Sequence, residues 1–172
     1  MGGLYEKQHW PDVQVWATYT DTPPPEVLVQ SVHVVAVVSS GQVCVCEDEI
    51  GKRFLPGGTR EYREPINDCA DRELLEEAGL EALGPYLWFG AHRAIGYRDI
   101  PYRPYLPHPE KAWLWGVCDA RRIGPPTNPP GAEVVTAVHV MSVREASEYL
   151  RPVADWYGEL LERAMSAYAR RV

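Results

Sequence analysis

The sequence predicts an α/β or α+β sandwich of strands and helices. Apolar, β-branched segments of strand length alternate with segments of helical pattern, and most connections between them are short. The 172 residues suit one domain with a sizeable core. Hydrophobic residues make up 45% and charged residues 24% of the chain, a composition that argues against disorder. We therefore expect one domain over residues 1–172, in which residues 1–30 form an N-terminal extension of unclear role.

The predicted strands are apolar runs separated by turn residues. VHVVAVV, at 32–38, is a near-continuous β-branched run typical of a strand buried on both faces. A turn and the segment VCVCE, at 43–47, predict the next strand, and a short third strand contains Phe54. Later segments of strand character lie at 86–95, 112–120 and 133–141.

Three helices are predicted. Pro65 can occupy the first helical position after Glu64, the helical pattern continues to about Ala78, and Gly79 is a plausible stop. Two more helices, at about 143–150 and 153–170, end the chain. The first thirty residues contain aromatic side chains that suggest packing, and the prolines at 23–25 break any regular element.

Charge and composition restrict the partners. The net charge of −7 argues against a nucleic-acid polymer, because neutralising phosphates needs a basic surface, although a metal could bring in a small anionic substrate. Neither a membrane span nor a signal peptide is recognisable, so we expect a cytoplasmic protein. The four cysteines lack zinc-ligand spacing and are predicted to be buried free thiols, with Cys44 and Cys46 on the same side of a sheet.

The segment RELLEEAGL, at 72–80, is unusually acidic. In a helix, Glu73, Glu76 and Glu77 would share one face, where like charges repel. Carboxylates at this density bind hard divalent cations such as Mg²⁺ or Mn²⁺, and such a cation would remove the repulsion. The alternative is a solvated acidic face that pairs with three nearby arginines, Arg60, Arg63 and Arg72.

The same segment ends a longer motif. From Gly58 the chain reads Gly, five residues, Glu64, seven residues and then RELLEEAGL, which matches every fixed position of the Nudix box. Over Gly58–Leu80 the chain therefore resembles the Nudix hydrolases. The resemblance implies the Nudix fold, a mixed β-sheet sandwiched between helices. It also implies Mg²⁺-dependent (or Mn²⁺-dependent) hydrolysis of a diphosphate linkage in a nucleoside diphosphate derivative, by attack of water on phosphorus.

The resemblance also assigns roles to residues of the box. Glu76, Glu77 and the backbone carbonyl of Gly57 would be metal ligands. Glu73 would be a further ligand or the base that activates water, and Arg72 would orient it.

Two positions support this site, and a base can lie outside the box. Gly58 opens the box, and Glu64 would support the site through the metal shell or a salt bridge. Many members of the family place a general base or an extra ligand on a separate loop. Glu133 is the preferred candidate here and Glu110 the alternative, although Glu133 can also be a surface residue that caps a strand.

Substrate choice lies outside the box. Tyr97 follows Leu80 by 17 positions, similar to a tyrosine in the family's dinucleoside polyphosphate hydrolases, whereas the proline typical of ADP-ribose members is missing. Arg98 or Arg103 could hold a phosphate, or the loop at 96–110 could simply pack against the domain. The motifs of coenzyme A and NADH members are also missing.

Other features are predicted to be structural. Trp113 and Trp115 share one face of a strand and are expected to pack in the core rather than line a cleft. His92, His108 and His139 carry no motif.

Two alternatives to the hydrolase stay open. One is a non-catalytic Nudix module that binds or regulates, and the other is an isomerase of the same superfamily. The Tyr-rich loop or the C-terminal helix could form a homodimer contact.

Overall fold

A ten-stranded mixed β-sheet is the centre of the structure, a computed structural model that describes residues 2–171. The strands are β1 (Gln8–Trp10), β2 (Val15–Thr20), β3 (Val29–Ser39), β4 (Gln42–Asp48), β5 (Arg53–Phe54), β6 (Gly57–Thr59), β7 (Leu80–Ala82), β8 (Leu87–Gly96), β9 (Glu110–Arg122) and β10 (Val135–Met141). The α-helices are α1 (Ile66–Glu73), α2 (Val143–Leu150) and α3 (Tyr157–Ala169). The predicted strands and helices are present, with bounds that shift by a few residues.

The strand order is β1-β2-β8-β9-β3-β4-β10, with β5 on β4, β6 on β3 and β7 on β9. β3 and β9 run parallel, whereas the other paired strands are antiparallel. β3 therefore lies in the interior of the sheet. Its side chains are buried in the clusters on both faces, as the β-branched run predicted.

Helices cover both faces of the sheet, which confirms the predicted sandwich. α1 packs on one face, where Cys69, Ala70 and Leu74 join a buried cluster that includes Cys44 and Cys46. α2 and α3 cover the other face. All four cysteines are buried and free, as predicted. No helix within residues 2–171 combines the length and apolarity that a bilayer span requires.

The helix that carries the acidic motif changes its winding at the end. α1 continues through Leu74–Ala78 as a π-helical turn and stops at Gly79, whose φ of 62° is left-handed. A Cβ at Gly79 would lie 2.1 Å from the carbonyl oxygen of Gly124, so both conformation and space require glycine there. The helix end was predicted correctly, but the π turn was not. The i, i+3, i+4 spacing of an α-helix therefore does not describe its last turn.

Residues near the N-terminus extend the sheet, which their sequence did not predict. β1 and β2 form an antiparallel pair, and β2 joins β8. Leu4 is fully buried among side chains of α3, and its N–H donates to Glu159 Oε1 at 3.2 Å. The signal in β2 is the strict alternation of buried and exposed residues in VWATY, which is typical of a strand with one face in the core.

Candidate active site

Arg72 is the centre of the hydrogen bonds around the acidic motif. Its Nε and Nη2 donate to the two carboxylate oxygens of Glu64 at 2.7 and 3.0 Å. Its Nη1 donates to Glu73 at 2.7 Å and to Glu76 at 3.2 Å, and Nη2 also donates to the carbonyl of Thr59 at 3.1 Å. One guanidinium group thus offsets part of the charge of three carboxylates, with the bidentate geometry that favours Arg over Lys.

The other two arginines of the predicted acidic face have different partners. Arg60 forms an ion pair with Glu26 at 3.0 Å, and Arg63 lies 5.1 Å from the ring centre of Tyr62. Within residues 2–171, then, Arg72 alone of the three pairs with the carboxylates of the motif.

The pKa values of these carboxyl groups depend on burial and on the hydrogen bonds that each group accepts. Burial raises the pKa of Glu64, but the hydrogen bonds from Arg72 and from the N–H of Glu61 outweigh it, so the net shift is downward. Burial raises the pKa of Glu73, and the charge of Arg72 offsets only part of that increase. Glu64 is therefore the carboxylate that Arg72 holds in its ionised form.

Glu77 lies apart from this network. Its Oε2 accepts a hydrogen bond from the N–H of Gly57 at 2.8 Å. Burial, together with the charges of Glu73 and Glu133, raises the pKa of Glu77 to about 8, although the N–H of Gly57 and the ammonium of Lys52 act in the opposite direction. This carboxyl group therefore has too little positive charge around it to ionise readily.

The two glycines at the start of the motif allow β6 to approach its neighbours. A Cβ at Gly57 would lie 2.3 Å from the carbonyl oxygen of Val32, and a Cβ at Gly58 would lie 2.4 Å from Glu73 Oε1. Because neither position has room for a side chain, Gly57 can present its backbone to the end of the acidic helix.

A divalent cation fits the chemistry of these donors. No three His, Cys, Asp or Glu side chains within residues 2–171 converge to hold one metal ion. The reason is that Glu73 and Glu76 are turned towards Arg72, whereas Glu77 is turned towards Gly57. Carboxylate and carbonyl oxygens are nevertheless the ligands that hard divalent cations prefer. A cation would also supply the positive charge that Glu77 lacks.

A cavity of 430 Å³ opens beside Gly57 and Glu77, a volume suited to a small-molecule ligand. Lys52 and Glu133 lie at the same end and form an ion pair at 3.2 Å. The rest of the wall includes six aromatic side chains, those of Trp10, Phe54, Trp113, Trp115, Trp156 and Tyr157. The cavity thus joins an acidic end to an apolar surface that suits a flat ring.

The tryptophans of β9 correct a prediction. Trp113 and Trp115 do share one face, and Trp115 is buried, donating from Nε1 to His92 Nδ1 at 2.9 Å. Both, however, line the cavity, so the expectation that they do not line a cleft was wrong. α3 covers only part of this face of the sheet, which leaves the half-buried Trp113 open to the cavity.

The N-terminal segment supplies a wall that the motif did not reveal. Trp10 and the residues that follow it, Pro11, Asp12 and Val13, line the cavity opposite the acidic helix. Trp10 packs against Trp113 with ring centroids 5.4 Å apart. His33 and Trp156 also line the cavity and carry no sequence motif. The alternation in β2 is the one signal that could have located this wall.

The two candidates for a base outside the box lie in different places. Glu133 lines the cavity that contains Glu77. Glu110 instead pairs with Arg93 on the other side of β9, away from the cavity. The structure therefore brings Glu133, but not Glu110, together with the acidic motif.

The predicted substrate residues of the 96–110 loop are also separated. The hydroxyl of Tyr97 lies 3.0 Å from His9 Nε2, so this side chain packs on the N-terminal segment. Arg103 donates to the hydroxyl of Tyr105 at 3.0 Å. Arg98 lines a second cavity that adjoins the first. Neither Tyr97 nor Arg103 lines either cavity.

Solved structures with the same fold have low sequence identity to this chain. A pyrophosphohydrolase of Bacillus subtilis is 14% identical, with a TM-score of 0.55 over 82% of this chain and 93% of that one. An ADP-ribose pyrophosphatase from Streptococcus suis is 16% identical, with a TM-score of 0.51 over 83% and 92%. A NUDIX hydrolase from Nitrosomonas europaea is 17% identical, with a TM-score of 0.51 over 82% and 88%. These likenesses show the fold.

The family itself is shown by a sequence model. A comparison with curated proteins finds no significant match. The model of the NUDIX domain, in contrast, matches residues 27–164, which include the acidic helix and its flanking glycines but not the N-terminal wall of the cavity. The chain belongs to the NUDIX domain family.

Proposed function

We propose that this protein is a metal-dependent Nudix pyrophosphohydrolase that cleaves a phosphoanhydride bond in a nucleoside diphosphate derivative. The observation that carries the proposal is the 430 Å³ cavity in which Glu77 and Gly57 lie at one end and aromatic side chains form much of the rest of the wall. The acidic end suits a metal-bound diphosphate, and the aromatic wall suits a nucleobase. Membership of the NUDIX domain family supports the same reaction.

Nudix hydrolases generally use divalent metal ions, and we propose Mg²⁺ (or Mn²⁺) here. Glu73, Glu76, Glu77 and the carbonyl of Gly57 would hold it. When bound, the cation neutralises phosphate oxygens and makes water a better nucleophile. For this arrangement Glu73 and Glu76 would have to exchange their contacts with Arg72 for the cation.

The remaining residues position groups or move protons. Arg72, fixed by its two hydrogen bonds to Glu64, orients Glu73. Glu133 or Glu73 accepts a proton from the attacking water, and Lys52 holds Glu133 within the cavity. The oxygen of water forms a bond to one phosphorus, and the bridging bond of that phosphorus breaks. The bridging oxygen leaves with the other phosphate, so both products are phosphates.

One observation favours a different class of function. Because Glu73 and Glu76 both contact Arg72, a non-catalytic Nudix module that binds a ligand without turnover is the second candidate. The two candidates differ in one measurable property, turnover that depends on Glu77.

The experiment that tests the proposal is a substrate panel. The purified protein is incubated with Mg²⁺ or Mn²⁺ and with nucleoside triphosphates, dinucleoside polyphosphates, ADP-ribose and nucleotide sugars, and phosphate release is measured with a coupled phosphatase. Glu77→Gln is the test variant. Glu81→Gln is the matched control, since Glu81 pairs with Arg121 outside the site. Turnover that Glu77→Gln abolishes and Glu81→Gln retains supports the hydrolase. Tight ligand binding without turnover in the wild type supports the module.

We propose a small-molecule partner rather than a nucleic-acid polymer or a membrane. The 430 Å³ volume of the cavity and the net charge of −7 support this choice. We also propose a cytoplasmic location, with which four free thiols agree. A homodimer through the Tyr-rich loop or α3 stays a prediction.

A further inference from the structure

A second cavity, of 360 Å³, adjoins the one that contains Glu77. The two share Asp12, Val13 and Trp113 in their walls, so they are direct neighbours. The side chains of the second cavity that carry positive charge are Lys111 and Arg98. In a chain with a net charge of −7, two cations beside the active site call for an explanation.

Lys111 is the less usual of the two cations. It lies on β9 opposite Ala94 of β8, it is 3% exposed, and it lines the cavity. Within the described chain no carboxylate forms an ion pair with it, and burial and then the charge of Arg98 lower its pKa. Burying a lysine without a counter-charge is unfavourable, and Lys111 has no carboxylate paired with it among residues 2–171.

Arg98 and Asp12 complete the charges of this cavity. Arg98 is exposed at the rim and makes no ion pair with any of residues 2–171, and its charge acts on Lys111. Asp12 lines the cavity as well, but it does not pair with either cation in the described chain. The cavity therefore has a net positive charge with both cations unpaired.

A third polar residue lines the same cavity. The pairing of β3 with β9 shifts register between Val29 and Ser31, so Gln30 is an extra residue in the strand. Gln30 lines the second cavity, and its Oε1 is buried without a hydrogen-bond donor among residues 2–171. A ligand that matches this cavity would bring a hydroxyl or N–H donor as well as negative charge.

A purely structural role for Lys111 and Gln30 explains their burial without partners less well. Long lysine side chains often bury their carbon stem while the ammonium reaches bulk water. Lys111 instead lies at the beginning of an interior strand, and it lines a cavity that Arg98 also lines. The structural role also leaves the Oε1 of Gln30 without a partner.

We propose that the second cavity is a subsite for a phosphorylated sugar, in which Lys111 and Arg98 bind the phosphoryl oxygens and Gln30 accepts a sugar hydroxyl. A phosphoryl group can accept hydrogen bonds from both cations at once, and a sugar supplies the donor. Lys111, Trp113 and Trp115 alternate along one face of β9, about 7 Å apart at each step. A substrate that reaches the acidic end of the first cavity can therefore extend to Lys111.

The assignment of a substrate class rests on the proposed hydrolase activity. The enzyme would prefer a nucleoside diphosphate derivative that carries an additional phosphate on a sugar, away from the scissile diphosphate. The subsite itself can be tested without turnover.

The first experiment measures binding of ribose 5-phosphate, ribose and inorganic phosphate by calorimetry in the absence of divalent metal. The test variants are Lys111→Met, which keeps the length of the side chain, and Arg98→Gln, which changes an exposed residue and should fold normally. Arg103→Gln, from the same loop but outside the cavity, is the control. We expect ribose 5-phosphate to bind more tightly than either fragment, and each test variant to weaken that binding about tenfold.

The second experiment compares ADP-ribose with its 2′-phosphorylated form as substrates. We expect a kcat/KM ratio of about ten in favour of the phosphorylated form, falling towards one in Lys111→Met and recovering in Lys111→Arg. A ratio near one in the wild type would overturn the substrate assignment.

The binding experiment decides the subsite even if the hydrolase proposal fails. No binding of ribose 5-phosphate to the wild type, or unchanged affinity in both test variants, would overturn it. Equal affinity for inorganic phosphate and ribose 5-phosphate would overturn the sugar assignment.

Discussion

Arg72 holds Glu64 through two hydrogen bonds, from Nε to Oε1 at 2.7 Å and from Nη2 to Oε2 at 3.0 Å. The two residues are eight positions apart in sequence, one before α1 and the other within it. Their contact ties the loop before the helix to the face that carries the acidic motif. The site thus rests on a planar, two-point contact that a lysine cannot reproduce.

Replacing Arg72 by Lys should destabilise the protein and reduce turnover. The substitution keeps the charge but loses the bidentate contact and leaves partly buried carboxylates without donors, which should lower the free energy of unfolding by about 2 kcal/mol. Urea denaturation gives this value, and Arg63→Lys is the control because Arg63 contacts Tyr62 rather than the motif. An unchanged denaturation midpoint in Arg72→Lys would contradict the role given to Arg72.

The negative charge of Glu77 should not stabilise the protein in the absence of metal, but it should stabilise the protein when Mg²⁺ is bound. Its partly buried carboxylate has the N–H of Gly57 as its hydrogen-bond donor, and glutamine can accept the same hydrogen bond without a charge. We therefore expect Glu77→Gln in EDTA to have a Tm equal to or above that of the wild type. Adding Mg²⁺ should raise the Tm of the wild type but not that of the variant. A metal-dependent increase of equal size in both proteins would show that Glu77 is not a ligand.

The buried His92 should make the protein less stable in acid. Burial, together with the charge of His33, lowers the pKa of His92 to about 3, from an ordinary value of 6.5. Below pH 6.5 the unfolded chain binds a proton at this position and the folded chain does not. Stability should therefore fall by about 1.4 kcal/mol per pH unit as the pH decreases from 6.5 towards the folded pKa.

The variant for this test is His92→Gln, whose side-chain oxygen can still accept the hydrogen bond from Trp115. Chemical denaturation at several values between pH 4.5 and 6.5 should give a shallower pH dependence for the variant than for the wild type. Identical slopes would mean that His92 ionises in the folded protein as readily as in the unfolded chain.

Gly79 should tolerate no side chain. Alanine there would need a φ of 62° and would place its Cβ 2.1 Å from a backbone oxygen, so we expect Gly79→Ala to lower the free energy of unfolding by about 2 kcal/mol or more. Gly84→Ala is the matched control, because a Cβ at Gly84 meets no atom within 4 Å. Thermal melting of the two variants side by side measures the difference. Equal melting temperatures would indicate that the end of the helix rearranges without cost.

The sequence alone determined the elements whose signals are local. The β-branched run predicted a doubly buried strand, and Pro65 and Gly79 marked the ends of the acidic helix, since the conformations of these residues depend little on distant contacts. The motif also located the carboxylates that Arg72 organises, because Glu73 and Glu76 lie on the same continuous helical segment as Arg72 and Glu64 lies just before it.

Only the tertiary structure decided what surrounds those carboxylates. Trp10 reaches the cavity because β2 pairs with β8, and Trp113 lines it because α3 covers only part of the sheet. Lys111 and Gln30 line the same cavity because β9 runs parallel to a strand about eighty residues earlier. Such contacts join segments that are far apart in sequence. Hydrophobic periodicity shows which face of each segment is buried, but it does not show which segments meet or where the space between them stays open.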